Sequence, residues 1–72
     1  MMVREEAFWV RFANDQGNGV FRSLAEARRV IERRAEYDPP PPGAFPAEIW
    51  LQAFENGELV ANDFVERYPP DP

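Results

Sequence analysis

The clearest alternation of apolar and polar positions in the chain lies in residues 47–65, AEIWLQAFENGELVANDFV. A repeat of two residues is the period of a β-strand. Asn56-Gly57, in the middle, favours a two-residue type I′ turn, because both residues tolerate positive φ. We therefore predict a hairpin in which Ile49 faces Phe64. One face carries Ile49, Leu51, Ala53, Val60 and Phe64, and the other carries Trp50, Gln52, Phe54, Leu59, Ala61 and Asp63.

A second hairpin is predicted near the N-terminus. Residues 6–13, EAFWVRFA, alternate in the same way, with Phe12 on one side and Trp9 on the other. The next segment, NDQGNG, is rich in turn-forming residues. We expect the short strand VFR, residues 20–22, to return antiparallel and to place Phe21 opposite Phe12.

A helix is predicted to begin at Ser23 in SLAEARRVIERRAEY. Ser23 and Glu26 have the S-x-x-E spacing of a capping box, in which the serine hydroxyl accepts a hydrogen bond from the backbone amide of the glutamate. Arg34 falls inside the apolar stripe, so we expect its guanidinium to extend to solvent at the helix end. The stripe itself consists of Leu24, Ala27, Val30, Ile31 and Ala35.

Proline then separates the helix from the second hairpin. Residues 38–46, DPPPPGAFP, cannot continue a helix and predict an extended connector. Residues 68–72, YPPDP, predict a frayed tail. The order strand, strand, helix, strand, strand predicts one α+β domain over residues 1–72: a two-layer fold with a four-stranded antiparallel sheet and one helix on one face.

The residue types that are absent restrict the chemistry. The 72 residues include no Cys, His, Lys or Thr, which removes disulfides, thiolate and imidazole metal ligands and a lysine Schiff base. Ser23 has a capping role, and no evident base would activate it. A carboxylate pair among Glu48, Asp63 and Glu66 is the remaining catalytic alternative, and solvated strand edges explain these acids equally well. We expect no enzyme activity, no cofactor and no metal.

Charge is divided unevenly between the two halves of the chain. Residues 1–37 contain seven Arg and six acidic residues, whereas residues 38–72 contain one Arg and seven acidic residues, which gives the net charge of −5. Nucleic-acid binding needs a positive stripe, so we expect none directly. The N-terminal residues MMVREEAFWV predict neither a signal peptide nor a membrane span, and the lack of Cys is compatible with a cytoplasmic protein.

One sheet face is predicted to remain without a covering layer. The helix covers only one face, which leaves Trp9, Trp50, Phe54 and Leu59 on the other. Either the connector or Tyr68 folds over them, or another chain does. We favour another chain, because Trp dominates interface hot spots. We expect the acidic residues Glu48, Glu55, Glu58 and Asp63 to surround this face and to suit a basic partner.

Two functions follow from this surface. The first is a protein-interaction module that acts by occupying a surface of a larger protein partner. The alternative is a self-associating structural or ligand-holding homo-oligomer, such as a homodimer with Trp9 and Trp50 at the subunit interface.

The segments WVRF, FRSLAEARRVI, PAEIW and NGELV together resemble small strand-strand-helix-strand-strand proteins of phages and prophages, anti-CRISPR inhibitors among them. The resemblance spans nearly the whole chain. It implies an inhibitor or adaptor of host machinery, and it assigns no functional residue, because that group has no shared site motif.

Overall fold

The computed structural model describes residues 3–37 and 42–69. It contains one helix and one four-stranded antiparallel sheet with strand order β2-β1-β3-β4. The helix follows the second strand, which confirms the predicted α+β fold. The elements are β1 (Arg4–Arg11), β2 (Gly19–Phe21), α1 (Leu24–Ala35), β3 (Ala47–Glu55) and β4 (Glu58–Tyr68).

The helix begins where the capping pattern predicts. Ser23 has extended backbone angles, and its hydroxyl accepts a hydrogen bond of 3.1 Å from the backbone amide of Glu26. On the apolar stripe of α1, Ala27 and Ile31 are buried. They form a core with residues of one sheet face, of which Val10 is fully buried. The predicted stripe is therefore the face that α1 packs on the sheet.

The first hairpin pairs differently from the prediction. Phe21 lies opposite Phe8 rather than opposite Phe12. Strand β1 ends at Arg11, and the backbone amide of Phe12 donates a 2.8 Å hydrogen bond to the side-chain oxygen of Asn18. The loop thus begins at Phe12, which is buried in the core instead of being paired in the hairpin.

Arg34 also differs from its predicted position. Its guanidinium lies over the ring of Phe12, 4.3 Å from the centroid, and donates a 3.1 Å hydrogen bond to the carbonyl of Gln16. The side chain therefore folds back on the loop between β1 and β2 instead of extending to solvent. It joins the last turn of α1 to that loop.

Two residues of the connector, Ala44 and Phe45, pack in or against the core. Ala44 is fully buried, and its carbonyl accepts a 2.9 Å hydrogen bond from the amide of Ala13. The ring of Phe45 lies 6.1 Å from that of Phe12 and 5.8 Å from that of Tyr68. Tyr68 is the last residue of β4 and pairs with Ala47, so the predicted tail begins too early. Residues 38–41 and 70–72 lie outside the described residues.

The second hairpin has the predicted turn and a different register. Asn56 and Gly57 have φ values of 52° and 84°, as a type I′ turn requires. The pairing then shifts twice along β3, between Ala53 and Phe54 and between Ile49 and Trp50. Each shift leaves one extra residue in β4, which is the geometry of a β-bulge. These extra residues are Val60 and Val65.

The bulge at Val60 reverses the predicted faces of residues 61–64, and the bulge at Val65 restores them for the rest of β4. Phe64 pairs with Trp50 rather than with Ile49, so it lies on the face away from the helix. Asp63 pairs with Leu51, and Ala61 pairs with Ala53, so both lie on the helix side. The predictions for these three residues of β4 were therefore wrong.

Candidate functional site

A row of apolar side chains crosses all four strands on the sheet face away from α1. Val20 pairs with Trp9, Trp9 with Trp50, and Trp50 with Phe64. Residues that pair directly across antiparallel strands point to the same face. The rings of Trp50 and Phe64 meet edge to face, with centroids 5.6 Å apart. We call these four residues the apolar row.

The apolar row is partly open to solvent. Val20 is 57% exposed and Phe64 is 49% exposed, whereas Trp9 and Trp50 are half-buried. The helix packs on the opposite face, and the ring contacts of Phe45 lie there as well, with Phe12 and Tyr68. Among the described residues, neither the connector nor Tyr68 therefore covers this face, which was one of the two alternatives that the sequence left open.

A second apolar pair lies further along the same face, towards the turn of the second hairpin. Phe54 pairs with Leu59, as predicted, and Leu59 is 50% exposed. Between this pair and the apolar row lie Ala7, Gln52 and Asn62, which pair across β1, β3 and β4. The face is therefore apolar in two bands separated by a mostly polar one.

Charged residues of both signs border the apolar row on its other side. Arg11, Glu48 and Arg67 pair across β1, β3 and β4. Arg67 lies 3.4 Å from the carboxylate of Glu48, and its guanidinium is 5.9 Å from the ring centroid of Phe64. Arg11 forms a 3.1 Å ion pair with Asp15. These charges largely compensate one another beside the row.

The Arg11–Asp15 pair also ties β1 to the loop that follows it. The hydrogen bond from Arg11 lowers the pKa of the Asp15 carboxyl below its ordinary value, and a further hydrogen bond from Asn18 acts in the same direction. The ion pair places the start of the loop beside the charged border of the row.

The structure does not place the predicted acidic residues around the apolar row. Of the four, only Glu48 lies on that face. Glu55 and Glu58 pair with each other on the side of Ala53, which faces the helix layer, and Asp63 lies on that side as well. Glu55 contacts Arg4 at 3.7 Å. The expected acidic surround is therefore wrong for three residues. The bulge at Val60 moves Asp63 to the other face, whereas Glu55 and Glu58 lie on the face of Ala53 in the predicted register as well.

Strand β4 contributes most of the exposed large apolar side chains among the described residues. It lies at one end of the sheet and runs for 11 residues. The sequence pattern missed Phe64 as a surface residue, and the alternation of polar and apolar positions gives no signal for a bulge. The exposed apolar residues of β4 are Leu59, Val60, Phe64, Val65 and Tyr68.

Trp50 has one unusual feature within the row. Its indole nitrogen is buried and has no hydrogen-bond partner in the described residues. A buried donor without an acceptor costs free energy, commonly about 1 to 3 kcal/mol. In the described residues, Trp50 thus contributes through the packing of its ring against neighbours such as Phe64 and not through a hydrogen bond of its indole nitrogen.

The carboxylates considered for catalysis do not converge. Glu48 is on the face of the apolar row and contacts Arg67, whereas Glu66 is on the helix side and lies 2.8 Å from Arg28. This contact with Glu66 raises the pKa of Arg28 further. Asp63 is on the helix side too, separated from Glu48 by the sheet. The sheet thus separates Glu48 from the other two carboxylates, which share the helix side.

A groove between α1 and β4 has Glu66 among its lining residues. It has a volume of about 290 Å³, with Ile31 and Ile49 among its lining residues and the Arg28–Glu66 pair at its border. Within residues 3–37 and 42–69, no group of three or more acidic residues could hold a metal ion. In the same ranges, α1 is too short and too polar to cross a membrane.

No protein-family model, curated protein or solved structure matches this chain.

Proposed function

We propose that this chain is a non-catalytic protein-interaction module that binds another protein through the apolar row. One observation supports this proposal above the others: four apolar side chains from four different strands are aligned on a face that the helix does not cover. Large contiguous apolar surfaces on small domains commonly mark interaction sites. Occupying a surface of a larger protein would make the chain an inhibitor or an adaptor.

The residues in and beside the apolar row indicate which kind of partner surface would fit it. Large aromatic side chains such as Trp9 and Trp50 bury much area and frequently dominate binding energies. The adjacent charges on Arg11, Glu48 and Arg67 include both signs, so the partner surface beneath the row is apolar and carries little net charge. This differs from the basic surface that the sequence pattern suggested.

A photo-crosslinking experiment tests the proposal. A benzophenone amino acid replaces Val20, which is 57% exposed at one end of the row, and in a control variant it replaces Tyr37, which is 56% exposed beyond α1. Both proteins are irradiated in a lysate of the source organism. We expect a crosslink to a second protein from position 20 and not from position 37.

A substitution in the row then identifies the contact. In the protein with benzophenone at position 20, Phe64→Arg should abolish the crosslinked product, whereas Tyr37→Arg should leave it unchanged. Circular dichroism verifies that both variants keep the fold. Crosslinks only between copies of this chain would instead favour the homodimer alternative. Equal labelling from positions 20 and 37 would contradict the proposal.

A further inference from the structure

The outer edge of β4 is a second feature that suits a protein partner. One side of this strand pairs with β3, and in the sheet order β2-β1-β3-β4 no described strand lies on its other side. Such an edge presents backbone donors and acceptors to an incoming strand. At the opposite end of the sheet, β2 has three residues, whereas β4 has 11. Even with its two bulges, the longer edge offers more backbone hydrogen bonds than β2 does.

The two sides of β4 differ in chemistry along this edge. Leu59 and Phe64 lie on the face of the apolar row and are each about half exposed. Asp63 and Glu66 lie on the helix side. A strand added at this edge would have its alternate side chains beside apolar neighbours on one face and beside acidic neighbours on the other.

Charge determines which strand can pair there. Strand β4 contains three acidic residues, Glu58, Asp63 and Glu66, and one basic residue, Arg67. Arg28 compensates Glu66, whereas Glu58 and Asp63 have no ion-pair partner in the described parts of the chain. A second copy of β4 would bring acidic residues together, which disfavours self-pairing. A strand with basic residues on that side would be complementary.

We propose that β4 binds an extended segment of another protein, added as a fifth strand, in which apolar residues alternate with arginine or lysine. The apolar residues lie beside Leu59 and Phe64, and the basic residues lie beside Asp63. The inference rests on the proposed function, because it specifies a further part of the same partner. The added strand would form backbone hydrogen bonds with β4, beside the apolar contact that the row makes with the same partner.

The test uses a peptide of alternating arginine and valine, long enough to span β4, and a peptide of the same composition with its arginines and valines in two blocks. We expect the alternating peptide to bind and to shift the backbone amide resonances of residues 59–67 in a ¹⁵N NMR titration. The block peptide should bind about tenfold more weakly, because it cannot match both faces. Equal binding of the two peptides would overturn the proposal.

Backbone methylation tests strand addition itself. In a β-strand, the backbone groups of alternate residues face the same neighbour. One version of the alternating peptide is N-methylated at every arginine and another at every valine. We expect one version to bind as the unmodified peptide does and the other to lose binding. If both versions bind alike, or neither binds, the peptide does not add to the edge and the proposal is wrong.

A charge reversal in β4 completes the test. Asp63→Lys should weaken the binding of the alternating peptide about tenfold. Glu36→Lys, at an exposed position at the end of α1, makes the same charge change away from the edge and should have little effect. Equal losses in both variants would indicate general charge attraction and overturn the proposal.

The peptide test of the edge and the crosslinking test of the proposed function can give different results. If the crosslink from position 20 forms but the peptide does not bind, the apolar row contacts a partner and the edge does not. If the peptide binds at the edge and position 20 gives no crosslink, the edge proposal stands and the role of the row is wrong.

Discussion

At the scale of single residues, Trp50 stabilises the fold through its ring and not through its indole nitrogen. Its indole nitrogen is buried without an acceptor, and its ring packs against Phe64. Trp50→Phe removes the unpaired donor and keeps an aromatic ring, so the free energy of unfolding should change by less than about 1 kcal/mol. Trp50→Ala should lower it by more than about 2 kcal/mol through loss of packing.

Urea unfolding of the two variants and the wild type measures these differences. A loss for Trp50→Phe as large as that for Trp50→Ala would show that the indole N–H has a stabilising partner. The circular dichroism of Trp50→Phe should match that of the wild type.

Asp15 provides a residue-scale prediction about pH. Its hydrogen bond from Arg11 lowers the carboxyl pKa in the folded state, so ionised Asp15 stabilises the fold at neutral pH. That contribution is lost as the pH falls through the folded-state pKa. Arg11→Gln should raise the pKa of Asp15, whereas Arg29→Gln, a matched change on α1, should not. An NMR titration of the Asp15 carboxyl carbon tests this, and equal pKa values in all three proteins would contradict it.

At the scale of elements, Arg34 connects α1 to the loop between β1 and β2. A Cβ atom at Gly17 would lie 2.9 Å from the Cζ atom of Arg34, and Gly17 has a φ of 79°. Gly17→Ala should therefore strain the backbone and displace the guanidinium from Phe12 and Gln16. It should lower the free energy of unfolding by more than Gly57→Ala does. Gly57 has a similar φ of 84° with open space around it, so Gly57→Ala should cost about 1 kcal/mol.

The difference between the two alanine variants measures the contact with Arg34. In an Arg34→Ala background, Gly17→Ala should cost no more than Gly57→Ala, as thermal or urea unfolding of the double variants would show. If Gly17→Ala and Gly57→Ala cost the same in the wild-type background, the guanidinium moves aside freely and does not fix the loop.

Strand β4 shows which elements the sequence predicts and which it does not. The capping pattern at Ser23 and the Asn56-Gly57 turn act over a few residues, and both local predictions are confirmed. A bulge depends instead on how two strands pack along their length. The bulge residues Val60 and Val65 are of a type that is common in regular strands. The bulge at Val60 shifts the register by one residue and moves residues 61–64 to the opposite face, and the bulge at Val65 shifts it again. The fold class was therefore predictable, whereas the position of Phe64 was not.

At the scale of the whole molecule, the two sides of the sheet differ in charge. The apolar row and its compensated charges lie on one side, and Glu58 and Asp63, which have no ion-pair partner among the described residues, lie on the other. Because the unpaired acids lie away from the apolar row, they disfavour self-pairing along β4 without preventing the row from binding a partner. The net charge of −5 acts in the same direction, because like-charged molecules repel one another.

This arrangement predicts how the oligomeric state depends on the acids of β4. The wild type should sediment as a monomer at low salt in analytical ultracentrifugation, because self-pairing along β4 brings acids together. The double variant Glu58→Gln, Asp63→Asn removes two of the three acids of this strand and should associate more strongly at equal concentration. The matched double variant Glu32→Gln, Glu36→Gln removes two acids from the helix region and should stay monomeric, since its edge is unchanged. A wild type that is already dimeric at low salt would show that the edge acids do not prevent self-association, and it would favour the homo-oligomer instead.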